Sequence, residues 1–183
     1  MPRDINLSLY NAAEGGNLDR VRILLERGAD VNAKFKDGST ALHAVSFKVS
    51  KGFKDIAELL IKNGAYINSR DNNGSTPLHG AARYGQVEIA KLLLDKGAEV
   101  NPTDRDGNTP LHWAASCKTK EMVRVLIENG ANVNATDSES QTPLHWAASW
   151  GYTDMAEAII EGGADLNART VPGKTPLHRA AEM

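Results

Sequence analysis

The feature that most constrains the fold of this 183-residue chain is a short motif that recurs along it. Thr-x-Leu-His begins at five positions, with successive spacings of 36, 33, 33 and 33 residues: Thr40, Thr76, Thr109, Thr142 and Thr175. A constant period of this length is the signature of a repeat protein, in which each unit packs only on its neighbours. The sequence therefore predicts a stack of similar units.

One unit, Asp71 to Asn101, reads DNNGSTPLHGAARYGQVEIAKLLLDKGAEVN and shows how a unit folds. Asp-x-x-Gly is typical of a tight turn, because Asp accepts nearby backbone N–H groups and Gly adopts a positive φ without steric cost. Thr-Pro then begins a short helix, with Thr as its N-cap, and Gly85 ends it. Ile89, Leu92 and Leu93 give a second helix one apolar face. Because a single helix pair cannot bury its own apolar faces, the units must stack.

This pattern resembles the ankyrin repeat, and the resemblance covers nearly the entire chain. It is carried by the 33-residue period, Thr-Pro-Leu-His-x-Ala-Ala, Leu-Leu-Leu and Gly-Ala-Asp-Val-Asn. The resemblance implies an all-α fold, a solenoid of stacked helix-turn-helix pairs with hairpin-like loops beside a concave face.

We divide the chain into six repeats by this alignment. They are a divergent N-terminal capping repeat at 1–34, a repeat with a three-residue insertion near residues 48–50 at 35–70, regular repeats at 71–103, 104–136 and 137–169, and an incomplete repeat at 170–183. The last has only a first helix, so we expect either a fragment of a longer protein or a stack whose end is covered in another way.

Several positions depart from the repeated pattern. Phe35 and Thr170 replace the Asp of the loop, and Ser140 replaces its Gly, so we expect those three loops to be less regular. Lys118 replaces the glycine that ends a first helix, where a left-handed conformation would cost roughly 1 kcal/mol. We expect a rearranged turn there.

Composition limits the class of protein. The 21 basic and 23 acidic residues leave a net charge of -2, without the overall basic field that attracts nucleic acid. No apolar run approaches the roughly 18 to 20 residues of a membrane span, and MPRDINLSLY lacks the apolar stretch of a signal peptide. The single cysteine, Cys117, excludes an internal disulfide. These features favour a cytoplasmic monomer that binds neither a membrane nor nucleic acid.

No residue pattern indicates catalysis. The five histidines all belong to the motif: His43, His79, His112, His145 and His178. The resemblance implies that they bond backbone groups and link neighbouring repeats, and their separation of roughly 10 Å is too large for shared zinc ligation at about 2 Å. Cys117 has no spare histidine partner and is expected to be an inert helix residue. Gly-x-x-x-x-Gly-Lys-Ser/Thr and Gly-x-Ser-x-Gly are absent. We therefore predict no enzyme, no metal and no cofactor.

The outward side of the first helices is the candidate binding surface. It carries four aromatic residues: Tyr84, Trp113, Trp146 and Trp150. Tryptophan and tyrosine are enriched among binding hot spots. For Trp113 and Trp146 the alternative is packing against the neighbouring repeat with only an edge exposed, whereas for Trp150 and Tyr84 we favour binding.

The loop tips extend this surface and are mostly basic. With Arg83 from the helix, the basic residues are Lys34, Lys36, Arg70, Arg83, Arg105, Arg169 and Lys174, and the acidic ones are Asp37, Asp106 and Glu139. Seven against three leaves an excess of four positive charges, which favours a partner with an acidic segment. The alternative is that these surface charges vary freely and carry no function.

The sequence thus favours a non-catalytic scaffold that binds a protein partner. Two other classes stay open: a regulatory or targeting domain of a larger protein or bacterial effector, and a binder of a phosphorylated small molecule or oligonucleotide through tryptophan stacking and basic tips. The resemblance also implies that Asn68, Asn101, Asn134 and Asn167 occupy a position that is hydroxylated in some family members.

Overall fold

The computed structural model describes residues 4–48 and 52–182, and these contain eleven α-helices and no strand. The helices fall into two units, Met1–Ala98 and Glu99–Met183. Residues 49–51 lie outside the described part of the chain, and with them most of the predicted insertion. The helical content confirms the predicted all-α class.

The first unit contains three helix pairs. Their bounds are α1 Ile5–Glu14, α2 Leu18–Glu26, α3 Ala41–Ser46, α4 Phe53–Lys62, α5 Pro77–Arg83 and α6 Val87–Asp95. The first helices contact one another in the order α1, α3, α5, and the second helices do so in the order α2, α4, α6. The predicted pairing of helices within each repeat is confirmed in this unit.

The second unit repeats the arrangement. Its helices are α7 Pro110–Ala115, α8 Lys120–Glu128, α9 Pro143–Ser149, α10 Thr153–Glu161 and α11 Pro176–Ala180. Helices α7, α9 and α11 contact in sequence, and α8 packs on α10. The motif leucine is buried in α3, α5, α7 and α9, whereas Leu177 in α11 is 77% exposed. The last motif helix therefore exposes its leucine to solvent, whereas the other four helices bury theirs.

The motif histidine begins its own helix and reaches the next repeat. The Thr142 N–H donates to His145 Nδ1 over 3.1 Å, and His145 Nε2 lies 3.1 Å from the Lys174 carbonyl oxygen. Because Nδ1 accepts a backbone N–H, the ring proton lies on Nε2, which donates to that carbonyl. The same Thr–His capping box begins all five motif helices.

The link between repeats recurs in both units. His43 Nε2 lies 3.1 Å from the Ser75 carbonyl oxygen, and His112 Nε2 lies 3.0 Å from the Gln141 carbonyl oxygen. Burial lowers the pKa of His43, His112 and His145 below the ordinary value, and the bond to the carbonyl offsets this only in part. These imidazoles are therefore neutral at pH 7, as the linking geometry requires.

The repeat asparagines form a second set of links. Asn101 Nδ2 donates to the Gly130 carbonyl over 3.0 Å, and its Oδ1 accepts the Asn132 N–H over 2.8 Å. Asn134 makes the same two bonds to Gly163 and Asp165. Both side-chain ends of these asparagines are used within the scaffold.

The three loops that depart from Asp-x-x-Gly are regular, so the prediction of irregular loops was wrong. Ser140 adopts φ 59, the conformation of the glycine it replaces. Asp137 Oδ1 accepts the N–H groups of Glu139 and Gln141, and the Ser140 N–H donates to the Asp137 carbonyl over 3.0 Å. These bonds hold the turn closed although serine is strained in the left-handed region.

Side chains of other types replace the missing Asp in the remaining two loops. Thr170 Oγ1 accepts the Lys174 N–H over 3.2 Å, as an Asp carboxylate would. In the other loop, the Phe35 N–H donates to the Ser39 carbonyl over 3.0 Å, and Asp37 Oδ1 accepts the Ser39 N–H over 3.0 Å. A hydroxyl in one loop and a carboxylate two residues further along in the other thus accept the backbone N–H that the motif Asp accepts elsewhere.

The turn after α7 is rearranged, as predicted. Among described non-glycine residues only Ser140 has a positive φ, so Lys118 does not copy the left-handed glycine that it replaces. Cys117 lies in this turn and not on a helix, which corrects the expected placement. The α7 helix ends at Ala115, three residues before the position at which glycine ends the first helix in other repeats.

Replacing Ser140 with glycine should stabilise the protein by about 0.5–1 kcal/mol, because the relief of left-handed strain outweighs the larger loss of chain entropy that glycine undergoes on folding. Urea denaturation measures this change as a higher midpoint. Ser138→Gly in the same loop is the matched control: it lacks a positive φ to relieve and should lower the midpoint. Equal effects of the two changes would contradict the strain at Ser140.

The neutral histidines predict a fall in stability at mildly acidic pH. Because their folded pKa values lie below the unfolded value of about 6.5, the unfolded state binds more protons as pH falls. Their contribution is fully present above that value and is lost as pH drops through it toward the folded pKa values. The urea midpoint should therefore decrease between pH 7.5 and about 5.5, before most carboxylates protonate.

His112→Gln provides the control for that pH series. It should lower stability by about 1–3 kcal/mol at pH 7.5, because it breaks buried hydrogen bonds, and it should make the midpoint less dependent on pH. A wild-type midpoint that stays constant or rises toward pH 5.5 would contradict the neutral assignment.

Candidate binding surfaces

Three of the motif histidines use their ring nitrogens within the scaffold. Both ring nitrogens of His43, His112 and His145 are bonded to backbone groups, as described above. Burial raises the pKa of the Cys117 thiol, so it is a poor nucleophile at neutral pH. No group of three or more His, Cys, Asp or Glu side chains among the described residues could hold a metal ion. The exposed aromatic and charged side chains form the predicted binding surface.

Two of the four predicted aromatic residues have their polar atoms engaged within the second unit. Trp113 Nε1 donates to Asp104 Oδ2 over 3.2 Å, and Trp146 Nε1 donates to Asp137 Oδ2 over 3.1 Å. The two rings meet edge to face, with centroids 5.5 Å apart, and both side chains are half-buried. This geometry supports the alternative of packing with one accessible edge.

Trp150 has a different environment at the end of α9. Its side chain is 56% exposed, and its ring stacks on Tyr152 with centroids 6.3 Å apart and an interplanar angle of 21°. The Lys118 ammonium lies 5.6 Å from the centroid of the Tyr152 ring. The turn between α9 and α10 therefore presents two stacked aromatic rings beside a cation. We call Trp150, Tyr152 and Lys118 the aromatic turn.

Tyr84 is the exposed aromatic residue on α5 of the first unit. It is 42% exposed, the Arg83 guanidinium lies 5.8 Å from its ring centroid, and the Phe47 ring lies 6.3 Å away. Gly80, on the same helix, is buried beneath Phe47 and is not part of the surface.

Sequence reasoning missed Phe47, Tyr152 and Lys118 as surface residues. Tyr152 lies just outside the first helix, and its contact with Trp150 depends on the turn between two helices. The sequence does hold a signal for Phe47, because the corresponding residues of the next three repeats are not aromatic: Arg83, Ser116 and Ser149.

The basic loop tips are exposed with one exception. The Lys34 ammonium donates an N–H to the Arg70 carbonyl over 3.0 Å, so these two loop tips of the first unit are in contact. Arg169 donates to the Gly173 carbonyl of its own loop, and Lys36 and Arg105 are exposed. Lys174 is half-buried and forms an ion pair with Glu182. The positive charge of Lys174 is thus neutralised locally.

Comparison with known proteins agrees with the repeat architecture. A family model described as ankyrin repeats, three copies, matches residues 9–104, 47–137, 100–170 and 137–183. A search of curated proteins finds no significant match. In the described residues, no helix has the length and apolar character that crossing a bilayer requires.

Ankyrin repeats generally mediate protein–protein interactions and are typically non-catalytic. The match extends over residues 9–183, and the same residues carry the Thr–His capping boxes and stacked helix pairs. The chain belongs to the ankyrin-repeat family.

Proposed function

We propose that the protein is a non-catalytic scaffold that binds a partner protein through its exposed aromatic residues and basic loop tips. The observation that carries this proposal is the exposure of Trp150, 56% of whose surface faces solvent. A large apolar side chain in this position contributes little to the core and is available to a partner.

Trp150 and Trp146 lie on the same helix, four residues apart, yet differ in what they contact. The indole N–H of Trp146 is bonded to Asp137. Within residues 4–48 and 52–182, the indole N–H of Trp150 donates to no protein acceptor. It is therefore free to donate to a partner while its ring buries apolar area, the combination that makes tryptophan a frequent hot spot.

The neighbours of Trp150 support binding because they restrict its motion. Stacking on Tyr152 limits the rotamers of the indole before a partner arrives, so less side-chain entropy is lost on association. Lys118 places a positive charge on the same surface. The aromatic turn is thus suited to an apolar side chain with an acidic residue beside it.

The loop tips support a partner with an acidic segment. Since Lys174 is paired with Glu182, six basic residues remain for the partner: Lys34, Lys36, Arg70, Arg83, Arg105 and Arg169. Exposed charges of one sign accelerate association with a partner of opposite sign and help to set its orientation. We further propose that the chain acts in the cytoplasm as a monomer, without a cofactor and without catalysis of its own.

The role of Trp150 is tested by selecting peptide ligands from a display library on the full chain and measuring their affinity for variants. Trp150→Ala should weaken binding at the second unit by about thirtyfold, equivalent to about 2 kcal/mol, and leave the unfolding temperature nearly unchanged. Tyr84→Ala tests the first unit in the same way.

Trp146→Ala is the matched control. It should lower the unfolding temperature, because it removes a half-buried ring and leaves Asp137 without its indole donor. If Trp150→Ala lowered the unfolding temperature and left every ligand affinity unchanged, Trp150 would be a packing residue and the proposal would fail. Selected ligands without acidic residues, or affinities insensitive to salt, would contradict the acidic-segment part alone.

A further inference from the structure

A small pocket in the first unit lies between α3 and the tips of two loops. Its volume is about 230 Å³, and its lining includes Tyr10, Asp37, Ser39, Ala44, Phe47 and Asp71. Pockets for cofactors and drug-sized ligands measure roughly 300–1,000 Å³. This pocket is therefore suited to one side chain of a partner. We call it the Asp37–Asp71 pocket.

Comparison of the repeats shows why the pocket is open. The residue after the motif histidine is Trp113 in one repeat of the second unit and Trp146 in the next, and both indoles fill the surface beside their loops. In the first unit the corresponding residues are Ala44 and Gly80. A Cβ atom on Gly80 would lie 2.2 Å from Phe47 Cδ2, so no larger side chain fits there while Phe47 keeps its place.

The absence of an indole leaves a carboxylate oxygen without its usual donor. Asp71 corresponds to Asp104 and Asp137, whose Oδ2 atoms accept the indole N–H groups. Asp71 Oδ1 accepts the N–H groups of Asn73 and Ser75, each over 2.8 Å. Across the described residues, no donor reaches Asp71 Oδ2. Two repeats of this chain thus show which kind of group the open oxygen takes, namely an N–H on a planar conjugated system.

Asp37 adds a second negative charge to the lining. Its Oδ1 accepts the Ser39 hydroxyl over 2.6 Å and the Ser39 N–H over 3.0 Å. Burial acts to raise the pKa of Asp37, but these hydrogen bonds outweigh it and hold the pKa below the ordinary value. The carboxylate is therefore charged at neutral pH, and the pocket attracts a cation.

We infer that the Asp37–Asp71 pocket binds an arginine side chain of the partner protein. A guanidinium is planar, donates N–H groups to carboxylates and stacks on aromatic faces such as those of Tyr10 and Phe47. The inference rests on the proposed protein-binding function and names one side chain that the partner contributes.

The surrounding charges define the context of that arginine. Lys34 and Lys36 lie on the loop before Asp37 but do not line the pocket, and the Lys34 ammonium is bonded to the Arg70 carbonyl. A segment with one arginine flanked by acidic residues matches both the pocket and the basic tips around it. The basic loop tips attract the acidic segment of the partner, and the pocket fixes its position by binding the one arginine.

The test is an NMR titration of the ¹⁵N-labelled full chain with Nα-acetyl-arginine methylamide. Shifts are expected in the amides of the two loops that contain Asp37 and Asp71. The citrulline derivative has nearly the same shape without the charge and should bind about tenfold more weakly. Equal binding of the two probes, or tighter binding of the tryptophan derivative, would overturn the assignment to arginine.

Two variants examine the pocket itself. Asp71→Asn keeps an oxygen for the turn and removes the charge, so it should weaken arginine binding by about tenfold, whereas Glu139→Gln in the second unit should have no effect. The double change Phe47→Ser and Gly80→Trp copies Ser116 and Trp146, and should abolish binding by filling the pocket. Unchanged affinity of Asp71→Asn would refute the proposal even if the double variant failed to fold.

These outcomes are separable from those for the aromatic turn, which lies in the second unit. If Trp150→Ala weakens the selected ligands but the arginine probe does not bind, the pocket assignment fails and the scaffold function stands. If the arginine probe binds through Asp71 while Trp150→Ala changes no affinity, the pocket assignment stands and the role of Trp150 fails.

Discussion

The hydrogen bonds of the motif histidine are the interaction on which the rest of the scaffold depends. One imidazole accepts the N–H of the threonine that begins its own helix and donates to a carbonyl about one repeat further along the chain, as His145 does with Thr142 and Lys174. The same side chain therefore caps a helix and fixes the distance to the next repeat. It does so only as a neutral ring with its proton on Nε2, and burial lowers its pKa in the required direction.

The histidine is the same in all five copies of the motif, whereas the residue after it varies. This residue determines what side chain lies beside the loop of its repeat. Trp113 and Trp146 each give an indole N–H to a loop carboxylate and fill the adjoining surface. Ala44 and Gly80 of the first unit carry no such indole, Phe47 covers Gly80, and Asp71 Oδ1 alone is bonded within the loop. The residue after the histidine, together with the residue at the position of Phe47, thus decides whether an indole of the scaffold reaches the loop carboxylate.

Much of the fold follows from the sequence because the interactions are local and repeated. The period, the Thr–His pair and the apolar spacing predicted the helix pairs, since each signal lies within a few residues of the structure that it specifies. Lys118 was correctly expected not to copy a left-handed glycine. Ser140 was not foreseen as regular, because the bonds from Asp137 compensate for strain that the residue type alone suggests. The place of Cys117 was missed because α7 ends two residues before it.

The surfaces were less predictable because they depend on contacts between elements. The sequence indicated the aromatic residues of the first helices. It could not indicate the hydrogen bond of Trp146 to Asp137 or the stacking of Trp150 on Tyr152, because both depend on the folded loops. The pocket depends on Phe47 covering Gly80, two residues from different repeats whose contact no local pattern encodes. The best sequence signal for such a site is a difference between equivalent positions of the repeats. Gly80, for example, occupies the position after the motif histidine that Trp146 occupies in a later repeat.

The central claim, that neutral histidines join the repeats, is tested most directly by long-range ¹H–¹⁵N NMR correlation of the imidazole rings at pH 7. His43, His112 and His145 should each show an unprotonated Nδ1 and a protonated Nε2. Detection of these rings as imidazolium, or with the proton on Nδ1, would contradict the claim.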